Sequence, residues 1–197
     1  MNKFDVMNEL IKKNNGYLYT SDVEKENISR TYLAQFVKKY NLERVAQGIY
    51  ITSDTWQDDL FILQKCYPKA VFSGETALSL HVLIDREYND IRVSVPKGFS
   101  GSRLREKGVV VHQEKEENYD LGITEVKTIF GNTVNCYDKE RCICDLVKSR
   151  GKIDVQNYQT AILEYMRSKD KDLSRLVKYA EKLGVYDEIM MYVEVLV

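Results

Sequence analysis

Two periodicities predict an α+β fold for this 197-residue chain. Apolar residues recur at helical spacing over Phe4–Asn14, through the stretch after Ser29, and in three stripes between Val155 and Val193. Between these lie short runs that alternate with period two, Asp90–Val95 and Ile123–Ile129. The order of the segments gives an N-terminal helical unit ending in a hairpin, then a mixed α/β domain that closes with a helical subdomain.

The first helix, Phe4–Asn14, repeats Phe4, Met7, Leu10 and Ile11 and stops at Asn15-Gly16, with Gly16 as the C-cap. Tyr17–Thr20 is short and β-prone. Ser21 or Asp22 can cap a second helix, Asp22–Glu26, and Asn27-Ile28 turn the chain. Ser29 is placed to cap a third helix with its hydroxyl. Tyr32, Leu33, Phe36, Val37 and Tyr40 form that helix's apolar stripe. Its other face carries Arg30, Thr31, Gln35, Lys38 and Lys39. Leu42–Val45 and Gly48–Ile51 read as two strands joined through Ala46-Gln47-Gly48, which puts Arg44 and Gln47 on the hairpin. Helix, short strand, helix, turn, helix and hairpin within about fifty residues is the order of a winged helix-turn-helix. In that fold the third helix enters the DNA major groove. Arg30, Thr31 and Gln35 are the candidate base readers, and Ser29 positions the helix. Lys38, Lys39, Arg44 and Gln47 are candidates for phosphate or minor-groove contact. The same fold also serves as a protein-docking module, and a solvated amphipathic helix is the plainer reading of the third helix taken alone.

The first domain is expected to span residues 1–53 and the second 54–197. Polar Ser53–Thr55 mark the boundary, and Thr55 caps a helix, Trp56–Tyr67, with Trp56, Leu60, Leu63 and Tyr67 on one face. Ala70–Phe72 is a buried strand, Ser73-Gly74 turn it into a helix through Leu80, and Asp90–Val95 is a strand ended by Pro96. Ile91, Val93 and Val95 face one side of it, Arg92 and Ser94 the other.

Strand, Ser-Gly turn, helix and acid-bearing strand is also the layout of a nucleotidyltransferase core. Such a core holds metal ions on two carboxylates one residue apart. Asp90 would be the first, but Arg92 stands at the second position. A cation there repels Mg²⁺ and removes an oxygen ligand. The stretch therefore reads as a scaffold without that chemistry, and the chain as a non-enzyme with no cofactor. A nucleotidyltransferase-related enzyme using Ser73 and Asp90 is the alternative.

Beyond it lie a Gly/Ser loop, Lys97–Ser102, and the basic run Arg103, Arg105 and Lys107. Then come a strand at Val109–His112, an acidic loop at Glu114–Asp120, and a hairpin turned at Gly131-Asn132 with Val134–Tyr137 as its return strand. Asp138 caps the helix KERCICDLVKSR, whose buried stripe is Ile143, Leu146 and Val147. Cys142 and Cys144 point about 200° apart on a helix and cannot chelate one metal. With His81 and His112 the only histidines, no metal site is expected, and the cysteines read as small core residues. Val155–Arg167, a helix capped by Asp172 and stopped by Gly184, and a last helix carrying Tyr186, Ile189, Met190 and Val193 complete the chain. Lys148, Arg150 and Lys152 form a second basic cluster.

Composition narrows the partners. Net charge is -1, so no global basic field marks a non-specific nucleic-acid coat. Ile28–Gly48, however, carries Arg30, Lys38, Lys39 and Arg44 against one acid, Glu43, a local net of +3. A basic patch on a near-neutral protein suits a specific DNA binder. No run approaches a membrane span, nothing resembles a signal peptide, and four cysteines in a chain this long form no disulfide framework, which predicts a cytoplasmic protein.

Taken together, the winged helix ending in GIYIT, the stretch FSGETALSLHVLIDR with IRVSVPKG, and YDKERCICDLVKSRGKID with the tail YAEKLGVYDEIMMYVEVL resemble the AbiEi family of antitoxins over nearly the whole length. Members often carry Gly and Thr where this chain has Val82 and Cys142. The resemblance implies an antitoxin of an abortive-infection toxin–antitoxin pair. Its N-terminal domain would bind inverted repeats in the promoter of its own operon and repress it. Its C-terminal domain would neutralise a nucleotidyltransferase-like toxin without forming a stable complex. With no heptad repeat or exposed apolar stripe, the chain is expected to be a monomer that binds cooperatively on paired repeats.

Overall fold

The computed structural model describes residues 2–85 and 90–196; the loop expected at 86–89, and Arg86 at the end of one quoted stretch, lie outside them. The fold is α+β, and the chain divides into two compact units, 1–67 and 68–197. Each has its own core.

Unit 1 opens with α1 (Lys3–Lys13), capped by a reciprocal pair: the Asn2 side chain accepts from Phe4 N, and Asp5 accepts from Asn2 N. The C-cap is Asn14 rather than Gly16, and the reversal is spread over Asn15 (φ 52°) and Gly16 (φ 91°). β1 (Tyr17–Tyr19) leads directly into α2 (Thr20–Lys25). This helix begins two residues earlier than expected and has no side-chain cap. Thr20 N instead donates to Gly48 O, so the hairpin supplies the partner that Ser21 or Asp22 was expected to provide. Asn27 (φ 56°) makes the turn, and α3 (Arg30–Lys39) follows.

β2 (Glu43–Ala46) and β3 (Ile49–Ile51) form the hairpin, with Gly48 at φ 74° and a bulge between Arg44 and Ala46. β1 pairs antiparallel with β3, so the small sheet runs β1-β3-β2. Met7, Leu18, Val23, Ile28, Leu33, Phe36 and Leu42 form one core cluster under the helices. Leu42, expected in the hairpin strand, is part of it.

The next helix, α4 (Asp59–Cys66), belongs to this unit and not to the second one. It is shorter than expected, and Asp58, buried, caps it by accepting from Phe61 N. Two interactions hold the chain out of helix before that point. Thr52 and Thr55 share a hydroxyl hydrogen bond of 2.7 Å, and the Tyr17 hydroxyl accepts from Asp58 N and donates to Trp56 O. Trp56, expected on the buried face, is therefore exposed. Ile62 packs with Tyr17, Ile49 and Ile51.

Unit 2 is a five-stranded mixed sheet in the order β6-β5-β4-β8-β7, from β4 (Val71–Phe72), β5 (Arg92–Pro96), β6 (Val110–Glu114), β7 (Ile123–Lys127) and β8 (Thr133–Tyr137). β4 is antiparallel to β5 and parallel to β8, β5 and β6 are parallel, and β7 and β8 form a hairpin. α5 (Gly74–Leu80) follows β4 as expected. β5 lies inside the sheet, and Ser94 is as buried as Val93 and Val95, so the expected apolar-in, polar-out alternation fails there. α6 (Ser102–Arg105) carries part of the basic run. The expected acidic loop is instead the end of β6 at Glu114 and a short helix, α7 (Glu116–Tyr119).

α8 (Lys139–Lys148) is the hub on which the terminal helices pack. It buries Glu140, Arg141, Cys142 and Cys144 as well as the expected Ile143, Leu146 and Val147. α9 (Val155–Arg167), α10 (Leu173–Leu183) and α11 (Tyr186–Leu196) complete the unit. Asp172 caps α10 by accepting from Arg175 N, and Gly184 closes it at φ 71°. Among the described residues, no helix is long and apolar enough to cross a membrane.

Candidate nucleic-acid interface

The burial of α3 sorts its residues onto two sides. Leu33 and Phe36 point into the core, while Arg30, Thr31, Ala34, Gln35 and Lys38 are exposed. At about 100° per residue, these five fall within roughly 140° of one another. The spacing read from the sequence thus brings Arg30, Thr31, Gln35 and Lys38 together on one open face. Lys39 sits at its border, with its ammonium 5.2 Å from the centre of the Phe4 ring and 5.4 Å from that of Tyr40. Tyr32 and Tyr40, expected in the buried stripe, are half-exposed, and Lys3 Nζ lies 4.1 Å from the Tyr32 ring centre. Arg44 and Gln47 are exposed on the hairpin, and Arg44 Nε donates to Ala46 O at 3.4 Å.

Two of these residues differ in detail from expectation. Ser29 occupies the N-cap position with extended backbone, but its hydroxyl makes no cap hydrogen bond. Arg30 is not free: its Nε donates to Glu24 Oε1 at 2.7 Å, across the turn from α2. That carboxylate holds the guanidinium above its ordinary pKa. Glu24 and Arg30 are six residues apart and on different helices, so helical periodicity does not pair them. Nor does it bring Lys65 of α4 over the Tyr19 ring of β1, 5.7 Å from its centre; the Phe61 ring, 5.1 Å away, is one turn before Lys65 on the same helix.

In unit 2 the residues of the nucleotidyltransferase layout are placed as follows. Ser73 is the N-cap residue of α5 without a side-chain cap, and Ser73 N donates to Arg92 O. Asp90 is exposed and lies ahead of β5. Arg92 Nε is 2.8 Å from Glu75 Oε2, and Arg92 N donates to the Thr76 hydroxyl. The cation that replaces the expected second carboxylate is thus held by an acid on α5. Among the described residues, no group of three or more His, Cys, Asp or Glu side chains could hold a metal ion. Cys136, Cys142 and Cys144 are buried, and burial raises all three thiols, Cys136 and Cys144 to about 12.

Two buried polar clusters were not legible beforehand. Arg141, fully buried, donates from Nη1 to Asn118 O and Leu121 O and from Nε to Asp145 Oδ2, and its guanidinium lies over the Tyr137 ring. Its Nη2 is 3.2 Å from Glu114 Oε1, the same oxygen that is 3.1 Å from His112 Nε2. Burial pushes Asp145 up to about 6 against the pull of Arg141. Burial also acts to raise Glu114, but His112 and Arg141 outweigh it and hold this acid low. The second cluster centres on Glu140, which accepts from the Tyr165 hydroxyl and from Asp172 N. Beside it, Tyr179 donates to Asp138 Oδ2. These bonds tie the start of α8 to α9 and α10. In a sequence these charges look like the solvated side of a helix.

No protein-family model and no curated protein matches the chain.

Proposed function

We propose that unit 1 is a winged helix-turn-helix that binds double-stranded DNA through α3 and the β2–β3 hairpin, and that the protein is a bacterial antitoxin repressing its own operon. The observation that carries the DNA half is the single exposed face of Arg30, Thr31, Gln35 and Lys38 on a helix backed by its own core. The hairpin beside it presents Arg44 and Gln47. Thr31 and Gln35 have the hydrogen-bonding side chains that read base edges, Arg30 has the fork that suits guanine, and Lys38 supplies charge for phosphate. Ser29 acts through its backbone at the helix start. Lys39 and Gln47 contact the flanking backbone.

The resemblance to AbiEi antitoxins supports the second half. Unit 2 neutralises a nucleotidyltransferase-like toxin in the cytoplasm, without a stable complex and without catalysis of its own. The protein is a monomer that binds cooperatively on inverted repeats.

Fluorescence anisotropy tests the DNA half. The protein is titrated onto the duplex upstream of its own gene across a salt series, beside a scrambled duplex and an Arg30→Ala/Lys38→Ala variant. Binding is expected to prefer the native duplex, fall with salt and be lost in the variant. Equal binding to both duplexes would remove the repressor reading. Growth of cells co-expressing the toxin with unit 2 residues 68–197 tests the other half. Continued arrest of growth would remove it.

A further inference from the structure

We infer that Glu24 is the positioning residue for base recognition: it holds Arg30 for end-on reading of a guanine, while its charge weakens binding to every duplex. The inference rests on the DNA-binding reading proposed above and names what Arg30 reads.

Arg30 is the first residue of α3, where a recognition helix points its side chains at base edges. Its guanidinium has three nitrogens. Glu24 Oε1 takes the Nε proton at 2.7 Å, while both Nη groups make no hydrogen bond among the described residues. The side chains remain substantially open to solvent, Arg30 at 80% and Glu24 at 45%, so the pair is available at a surface and is not packed into a core. A carboxylate on Nε fixes the plane of the guanidinium and leaves the Nη1/Nη2 end as the only free edge. That end presents two parallel donors. Guanine offers two acceptors, O6 and N7, in the major groove, whereas adenine offers one acceptor and one donor. The free edge therefore matches guanine alone among the purines.

The same carboxylate has a second effect. It stands at the mouth of the recognition helix, where phosphates approach, and its charge weakens binding to any duplex. Only a duplex that presents a guanine to the oriented Arg30 regains the loss. Specificity is a difference of affinities, so this common repulsion lowers non-specific binding, while the preference itself comes from the orientation of the guanidinium.

The test uses the full chain and anisotropy on the native and scrambled duplexes. Glu24→Ala removes both the charge and the acceptor. It should bind the scrambled duplex about three-fold more tightly and lose roughly five-fold or more of the native-to-scrambled preference. Glu24→Gln removes the charge but keeps an oxygen that can accept from Nε. It should strengthen both duplexes and retain most of the preference. In an Arg30→Ala background, Glu24→Ala should leave the preference unchanged. Substituting 7-deazaguanine for guanines of the repeats, one position at a time, should weaken the wild-type protein at one position in each repeat. The same substitution should not weaken Arg30→Ala. An unchanged preference in Glu24→Ala, or equal 7-deazaguanine effects in wild type and Arg30→Ala, would overturn the inference while DNA recognition stood. A wild-type protein with no preference for the native duplex would overturn both.

Discussion

Replacing Arg141 with methionine keeps a long, apolar stem in place and removes the charge. The structure sets what that costs. Arg141 is fully buried, and its loss takes a donor from the carbonyls of Asn118 and Leu121, which it bonds at 2.6 and 3.1 Å; Asn118 O keeps the backbone N–H groups of Asp120 and Leu121, so the Leu121 carbonyl is the one left without it. It also takes the cation from two carboxylates, Asp145 at 2.9 Å from Nε and Glu114 at 3.2 Å from Nη2, of which Glu114 keeps His112 Nε2 at 3.1 Å. A buried acceptor without a donor costs about 1–3 kcal/mol. Breaking a buried ion pair from one side costs about 3–5 kcal/mol. The two carboxylates keep some access to water, with 23% and 13% of their side-chain surface exposed, so part of that cost is relieved by solvation. The net expectation is a loss of about 3–5 kcal/mol, which lowers the melting temperature of unit 2 by roughly 10–15 °C. Differential scanning calorimetry of the full chain reads this. Hydrogen exchange should quicken first in 116–121, whose carbonyls Arg141 holds. If Arg141→Met melted within about 1 kcal/mol of wild type, the ion pairs would be dispensable and the cluster would not be what anchors α7 to α8.

Three further outcomes are expected. Val82 is exposed and sits at φ 57°, where a β-branched residue is strained; Val82→Gly should stabilise unit 2 by about 1 kcal/mol in chemical denaturation, and a loss would refute the strain. Gly16 is at φ 91°, and an added Cβ would collide with the Thr55 hydroxyl that bonds Thr52; Gly16→Ala should cost unit 1 about 1–3 kcal/mol and unwind the segment before α4, which loss of protection at Asp58 N would reveal. The two histidines should titrate in opposite directions by NMR: the hydrogen bond to Glu114 raises His112, and burial lowers His81. His112 then contributes stability that is complete below pH 6.5 and fades as pH rises through its folded value. His81 contributes stability that is present above pH 6.5 and is lost as pH falls through its folded value. Coincident titration near 6.5 would refute both assignments.

The elements that could be read in advance are those decided by neighbours in sequence. α9 was expected at Val155–Arg167 and begins and ends there, because its apolar residues recur at strict helical spacing and Asp154, just before it, accepts from Gln156 N and Asn157 N. α10 was equally clear from Asp172 and Gly184. α4 failed because Trp56, Leu60, Leu63 and Tyr67 happen to fit a helical stripe, while the start of the helix is decided by the Tyr17 hydroxyl, about forty residues away in the chain. Periodicity carries no record of that bond. β5 misled for a related reason: whether Ser94 faces water depends on β4 and β6 flanking it, and strand order is not a local property.

The same distinction governs the sites. The open face of α3 was legible, because exposure on an amphipathic helix follows from the apolar residues opposite it. The state of each side chain on that face was not. Lys39 and Arg30 both counted as free positive charge in the sequence, yet one lies beside aromatic rings and the other is bound to an acid on the preceding helix. The local net of +3 between Ile28 and Gly48 therefore overstates the charge available to a phosphate backbone, since Glu24 lies just outside that window and is held against Arg30. A face built this way has less indiscriminate attraction for DNA than its lysines and arginines suggest, and it depends more on the geometry of the few donors left free. That is the balance expected of a protein whose overall charge is -1 and whose proposed task is to choose one promoter.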